Sequence, residues 1–186
     1  MSQDAALKDA LDTPVMRQYL DLKKMHPESI LFFRMGDFYE MFLEDAISAA
    51  PILDVALTRR QGVVPMAGIP YHSVDSYLAR LIAAGRRVAI AEQAVDEENP
   101  KLMRRLVTRV VSPGTVIEES LLPESAHSYL AAVALSPDET ICGIALSDIT
   151  TSDFRAYEVS TQEAAGFLLK IGPAEILTTA HSRSVV

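Results

Sequence analysis

Residues able to do chemistry are few in this sequence, and most stand at spacings that chemistry does not use. The four histidines, His26, His72, His127 and His181, are scattered, and Cys142 is the only cysteine. No set of His, Cys, Asp and Glu has the spacing of a usual metal site. Neither the phosphate-cradling loop G-x-x-x-x-G-K-[ST] nor the nucleophile turn G-x-S-x-G occurs. Asp148 and Asp153 are the best carboxylate pair, and a metal-dependent nuclease is the chemistry such a pair could serve. Five residues apart around Thr150-Thr151-Ser152, they read better as loop caps. What remains is non-covalent. Phe38 and Glu40 follow Gly36 closely, and Arg59-Arg60 stands at a turn. Two guanidinium groups there suit phosphate or groove contacts as well as they suit a plain solvated turn.

The elements around Phe38 make it stand out. An apolar run from Ile30 to Phe33 leads into Gly36, and an amphipathic segment leads out over residues 37–53. That order reads as strand, tight turn, helix. Asp37 is placed to cap the helix, and Glu40 completes a D-x-x-E capping box. At about 100° per residue the apolar stripe is Tyr39, Phe42, Leu43, Ala46, Ile47, Ala50 and Leu53, with Phe38 about 100° off its centre. Tyr39, on the stripe, reads as core. Two roles for Phe38 stay open on these residues alone. It could staple a neighbouring loop, leaving Glu40 a capping carboxylate, or it could be an aromatic held out for a ligand.

Helices and strands alternate along the rest of the chain. Thr13-Pro14 reads as the cap and first position of a helix that His26-Pro27 ends. Residues 55–59 alternate like a strand, and Arg59-Arg60-Gln61-Gly62 makes a turn. Pro65 and Pro70 predict an edge or short strand between them. Ser73 is placed to cap a helix that Gly85 closes. Residues 87–93 and 103–111 read as strands, separated by the acidic loop 96–100. The pattern restarts after Pro123-Glu124-Ser125, with strands over 129–135, 141–148 and 154–159, a helix over 161–170 and a strand from Ile176. This is a mixed α/β arrangement. It divides into a first domain over 1–118, a linker over 119–127 and a second unit over 128–186, short for a complete domain.

Composition narrows the class. With 49% hydrophobic residues the chain can bury a core, and no apolar run approaches the ~20 residues a membrane helix needs. The lone cysteine fits a reducing compartment. A net charge of -8 argues against indiscriminate nucleic-acid binding. The excess is uneven: residues 1–93 carry 10 Lys/Arg and 12 Asp/Glu, residues 94–186 carry 7 and 13. No basic stripe marks a DNA-binding face.

Four blocks in order change the picture. Phe33-Arg34-Met35-Gly36-Asp37-Phe38-Tyr39-Glu40 resembles the mismatch-recognition motif of the MutS family of DNA mismatch-repair proteins. Pro65-Met66-Ala67-Gly68-Ile69-Pro70-Tyr71-His72, Val88-Ala89-Ile90-Ala91-Glu92-Gln93 and Val111-Ser112-Pro113-Gly114-Thr115 are similar to later blocks of that family. The similarity is strong over residues 13 to about 120. It implies a mixed-sheet mismatch-recognition domain followed by the start of an RNase-H-like connector domain. It also implies that Phe38 enters duplex DNA from the minor groove and stacks on a mispaired or unpaired base, with Glu40 hydrogen-bonding the displaced base. Arg59, Arg60, Met66 and His72 become candidates for backbone or flanking contacts. The stretch from Arg59 to Pro65 is shorter than the family pattern. The resemblance implies a longer, homodimeric ATPase that uses ATP and Mg²⁺, recruits downstream repair factors and works in the cytoplasm with the nucleoid. The 186 residues here would hold no enzyme activity and no cofactor of their own. A protein-interaction module of a relative that does not read mismatches is the other reading, and the intact Phe38-Tyr39-Glu40 speaks against it.

Overall fold

The computed structural model describes residues 3–95, 103–116 and 128–185. The acidic loop 96–100 and the expected linker 119–127 lie outside these. The chain forms two compact units, residues 1–111 and 112–186, and the architecture is mixed α/β. Among the described residues, no helix is long and apolar enough to cross a membrane.

The first unit runs α1 (Gln3–Leu11), α2 (Pro14–Met25), β1 (Ile30–Met35), β2 (Phe38–Phe42), α3 (Leu43–Leu53), β3 (Thr58–Arg60), β4 (Val64–Pro70), α4 (Val74–Ala83), β5 (Val88–Val95) and β6 (Met103–Val111). The six strands form one sheet in the order β3-β4-β2-β1-β5-β6. Only β1 and β5 run parallel. On one face, Leu31, Phe33, Phe42, Val64, Ala89 and Ala91 are buried with Met16, Tyr19 and Leu22 of α2 and Ala10 of α1. The alternate residues Phe32, Met41, Ala67, Ile69 and Ile90 are buried on the other face, where α3 and α4 pack.

The opening segment corrects the expected helix over residues 37–53. Residues 38–42 return as β2, antiparallel to β1, with Met35 opposite Phe38 and Phe33 opposite Glu40. Gly36 takes φ +58°, as the first central residue of a two-residue II′ loop does. The capping box does not form: α3 starts at Leu43, with Phe42 at the cap position and no side-chain cap. The physical reason is an ambiguous pattern. Phe-Tyr-x-Met-Phe suits a pleated strand by composition, while the stripe through Tyr39, Phe42 and Ala46 also matches a helix.

Two further expectations are corrected. β4 is an internal strand, paired with β3 and β2. Its prolines are tolerated because each has one neighbour only. Pro65 faces Arg59 beyond the end of β2, and Pro70 faces Phe38 beyond the end of β3. Ser73 stands at the start of α4 but its side chain makes no capping bond. Other boundaries follow the sequence. The Thr13 hydroxyl accepts from the Met16 amide, and His26 ends α2. Gly85, at φ +73°, closes α4 with Gly85 N–H to Ile82 O and Arg86 N–H to Leu81 O, a Schellman motif.

The second unit holds β7 (Leu130–Leu135), β8 (Ile141–Asp148), β9 (Asp153–Ser160), α5 (Thr161–Ile171) and β10 (Glu175–Thr178). The strand order is β10-β7-β8-β9, with β10 parallel to β7. Cys142, Ile144, Leu146, Ala164 and Leu168 form its core. This agrees with the start of a connector domain. Asp148 and Asp153 face each other across the β8–β9 hairpin. Asp148 accepts from the Thr150 and Thr151 amides and the Thr150 hydroxyl, and Asp153 pairs with Arg155. Among the described residues, no group of three or more His, Cys, Asp or Glu is placed to hold a metal.

One buried carboxylate ties the first unit together. Asp45 receives the Tyr19 hydroxyl at 2.6 Å, the Lys23 ammonium at 2.7 Å and the Leu31 amide at 3.1 Å. Continued by two residues, the β1–β2 register would pair Leu31 with Phe42. Instead the Leu31 amide binds Asp45 and the Phe42 carbonyl accepts from Tyr19. Asp45→Ala leaves Lys23 without its counter-ion and the Leu31 N–H unpaired, so a loss of roughly 3 kcal/mol is expected from urea unfolding. Asp45→Asn, which keeps an acceptor, should lose less.

Candidate functional site

The strand period, not a helical one, sets the site. Alternation along β2 sends Tyr39 and Met41 to one face and Phe38, Glu40 and Phe42 to the other. Cover by α1 and α2 thins along that second face. Phe42 is fully buried, Glu40 is half-buried, and Phe38 is 49% exposed. Register adds neighbours: Pro70 lies opposite Phe38, Gly68 opposite Glu40 and Met66 opposite Phe42. Met35, opposite Phe38 on β1, packs its side chain against the core below.

Gly68 keeps this margin bare. A Cβ there would lie 3.9 Å from both Phe38 Cδ1 and Glu40 Cγ, an ordinary contact. Alanine therefore fits, whereas larger side chains would fill the space between the aromatic and the carboxylate.

Glu40 is electrostatically poised. Its Oε2 lies 3.8 Å from Arg60 Nη1, too far for a hydrogen bond. Glu40 Oε2 and Arg60 Nε are both buried and without hydrogen-bond partners. Burial pushes the Glu40 carboxyl above the usual glutamate value, and the Arg60 charge only partly opposes this. The arrangement presents an apolar ring beside a carboxyl group that can accept a hydrogen bond or, once protonated, donate one.

The sequence candidates divide accordingly. Phe38, Glu40, Arg60 and Met66 share one sheet face, since Arg60 pairs with Val64 and Met66 with Thr58. Arg60 reaches there because Gln61 and Gly62, at φ +50° and +74°, turn the chain back with Val63 N–H donating to Arg60 O. Arg59 is exposed on the opposite face and is not brought to Phe38. His72 is exposed in a single 3₁₀ turn, Tyr71–Ser73, and meets Tyr71 edge-on. Sequence reasoning gave Gly68 and Arg34 no role, although both lie inside the quoted motifs. Tyr39 is core as expected. Its hydroxyl donates to the Glu92 carboxylate, and burial with that partner pushes it up to about 12.

The fold and site define a mixed α/β domain that offers an aromatic–carboxylate pair on a bare sheet margin. The chain belongs to the MutS domain I family, whose profile matches residues 13–120. It is 51% identical over 174 residues to the DNA mismatch repair protein MutS of Leptospira interrogans, covering 91% of this chain and 20% of that protein. MutS of Syntrophomonas wolfei is 49% identical over 175 residues, and that of Methanothrix thermoacetophila 47% over 171, each covering 89% of this chain and 20% of the relative. The chain thus spans about a fifth of the length of the curated relatives it matches.

The raised Glu40 value has a definite sign in stability. The folded state holds the proton to higher pH than the unfolded chain, whose glutamate value is 4.5. The associated stability is complete below that value and is lost as pH rises through the folded one. Glu40→Gln should abolish this slope, leaving the variant relatively more stable at about pH 7 than at about pH 4 in urea unfolding. In Arg60→Gln, the carbon-13 titration of the Glu40 carboxyl should move further upward. An unchanged titration would show that the guanidinium does not act on it.

Proposed function

We propose that this chain reads mispaired or unpaired bases in duplex DNA as the recognition part of a mismatch-repair protein. Phe38 is the wedge that enters from the minor groove and stacks on the aberrant base, and Glu40 hydrogen-bonds the displaced base. The supporting observation is the pairing of an exposed aromatic with a half-buried glutamate whose buried Oε2 makes no hydrogen bond, two residues apart on one strand face. Membership of the MutS domain I family adds to it.

The energetics follow from the duplex. An apolar side chain that unstacks a base step leaves a kink, at a few kcal/mol per step. A mismatch has already lost pairing energy, so the deformation is easiest there. One aromatic therefore serves many mismatches, because it senses deformability and not a base code. The carboxylate sharpens the choice. A buried anion beside DNA is unfavourable unless a base proton or its own protonation relieves it. Arg60 and Met66 flank this pair, while Arg59 and His72 are left for contacts outside it.

The same reading places the chain at the start of a longer, homodimeric protein that recruits downstream repair factors and works with the nucleoid in the cytoplasm. ATP and Mg²⁺ belong to that longer protein. This sequence has no phosphate-cradling loop, so its residues do not fit the nucleotide and no step here runs through it.

The test uses the complete polypeptide at fixed salt, with a G·T duplex and its matched twin. Phe38→Ala should lower the mismatch preference by about ten-fold, a stacked base being worth roughly 1–3 kcal/mol, while non-specific binding survives. An unchanged preference would make Phe38 a structural residue only. Glu40→Gln should narrow the preference from the other side, by raising affinity for the matched duplex.

A further inference from the structure

The two-residue turn that carries Phe38 is gripped by residues outside it. Arg34 Nε donates to the Gly36 carbonyl at 2.6 Å. Its guanidinium carbon lies 3.7 Å from the Tyr71 ring centroid and 5.5 Å from that of Tyr39. The Tyr71 amide in turn donates to the Asp37 carbonyl at 2.9 Å. Both turn carbonyls are therefore held, one by the Arg34 side chain and one by the Tyr71 backbone, and the two holders stack on each other.

Resting on the reading of Phe38 as the inserted aromatic, we infer that Arg34 and Tyr71 are positioning residues that hold the Gly36-Asp37 turn and keep Phe38 ready for insertion. Arg34 pairs with Tyr39 and so projects from the face opposite Phe38. It acts on the wedge through the turn, not beside it. A wedge pushed between bases transmits force to its base. A loose turn would have to be ordered at that moment, which weakens binding. The planar guanidinium is what the geometry uses: it lies over the Tyr71 ring while its Nε bonds a carbonyl, which a lysine ammonium cannot do at once. Tyr39, hydrogen-bonded to Glu92, fixes the next residue of the strand, so the arginine's second ring neighbour is itself anchored.

The experiment compares wild type, Phe38→Ala, Arg34→Lys, Tyr71→Ala and Tyr71→Phe in the complete polypeptide, with the G·T and matched duplexes. Arg34→Lys and Tyr71→Ala should each lower the mismatch preference by about three- to five-fold, the order of an exposed cation–π contact. Affinity for the matched duplex should stay within about two-fold in both. Tyr71→Phe, which keeps the ring, should behave as wild type. In the DNA-free protein, hydrogen-exchange mass spectrometry should show faster exchange over the turn in the two disruptive variants only. Arg34→Lys keeps the charge and the aliphatic stem, so it carries the test if Tyr71→Ala fails to fold. An unchanged preference in both, with Phe38→Ala losing it, overturns the inference and leaves the wedge standing. If Phe38→Ala also keeps the preference, the wedge reading fails and takes this inference with it. Equal weakening on matched and mismatched duplexes overturns it as well, by making these residues general DNA contacts.

Discussion

The site depends on where β2 parts from β1. The hairpin register would carry the two strands on through a Leu31–Phe42 pair. Tyr19 and Asp45 take up those two backbone groups instead, with Lys23 balancing the charge. That exchange releases the chain into α3 directly after Phe42 and fixes β2 at five residues. A strand that short, closed at one end by a two-residue loop and at the other by a buried carboxylate, has little freedom to slip. A slip of one residue would put Tyr39 in solvent and Phe38 in the core. Buried ion pairs add little net stability, so the value of this one lies in fixing the register.

Much of this order is legible in the sequence, and the part that is not is instructive. Turn chemistry speaks locally, so Thr13-Pro14, His26-Pro27, Gly36 and Gly85 place their boundaries without help from the rest of the fold. The second unit also follows its pattern closely, because its strands alternate and its helix is uninterrupted. The segment after Gly36 resists for a physical reason. Five residues of which four are apolar satisfy either period, and the decision rests on pairing with β1 and β4, which lie outside the window. Treating it as helix made Phe38 an oddity, and in a strand it is simply the partner of Glu40 on one face. The prolines of β4 mislead likewise. What they forbid is one hydrogen bond each, and the staggered ends of β2 and β3 spare those bonds.

Glu40 occupies a compromise that the sequence could not reveal. Full burial would keep its carboxyl neutral, and full exposure would leave it an ordinary anion repelled by phosphates. Half-burial with a guanidinium at 3.8 Å holds it between these states. A tight bidentate pair with Arg60 would occupy both oxygens and cancel the charge. The longer separation leaves Oε2 and the Arg60 Nε without hydrogen bonds, so the oxygen keeps its capacity to accept one and the Nε–H its capacity to donate one. Unsatisfied buried polar atoms are rare in folded proteins. Here two of them belong to an ion pair, Glu40 and Arg60, on the sheet face that carries the exposed aromatic.

The charge distribution means that, on the proposed reading, geometry has to carry the discrimination. The first 93 residues are nearly balanced, with 10 cationic and 12 anionic side chains, so general attraction to the phosphate backbone is small. A domain that gripped DNA strongly everywhere would dilute the difference between a matched and a mismatched step with a large shared term. On the proposed reading, a weakly charged margin with one stiffly mounted ring and one poised carboxyl would contribute little at a matched step and most where the stack already yields.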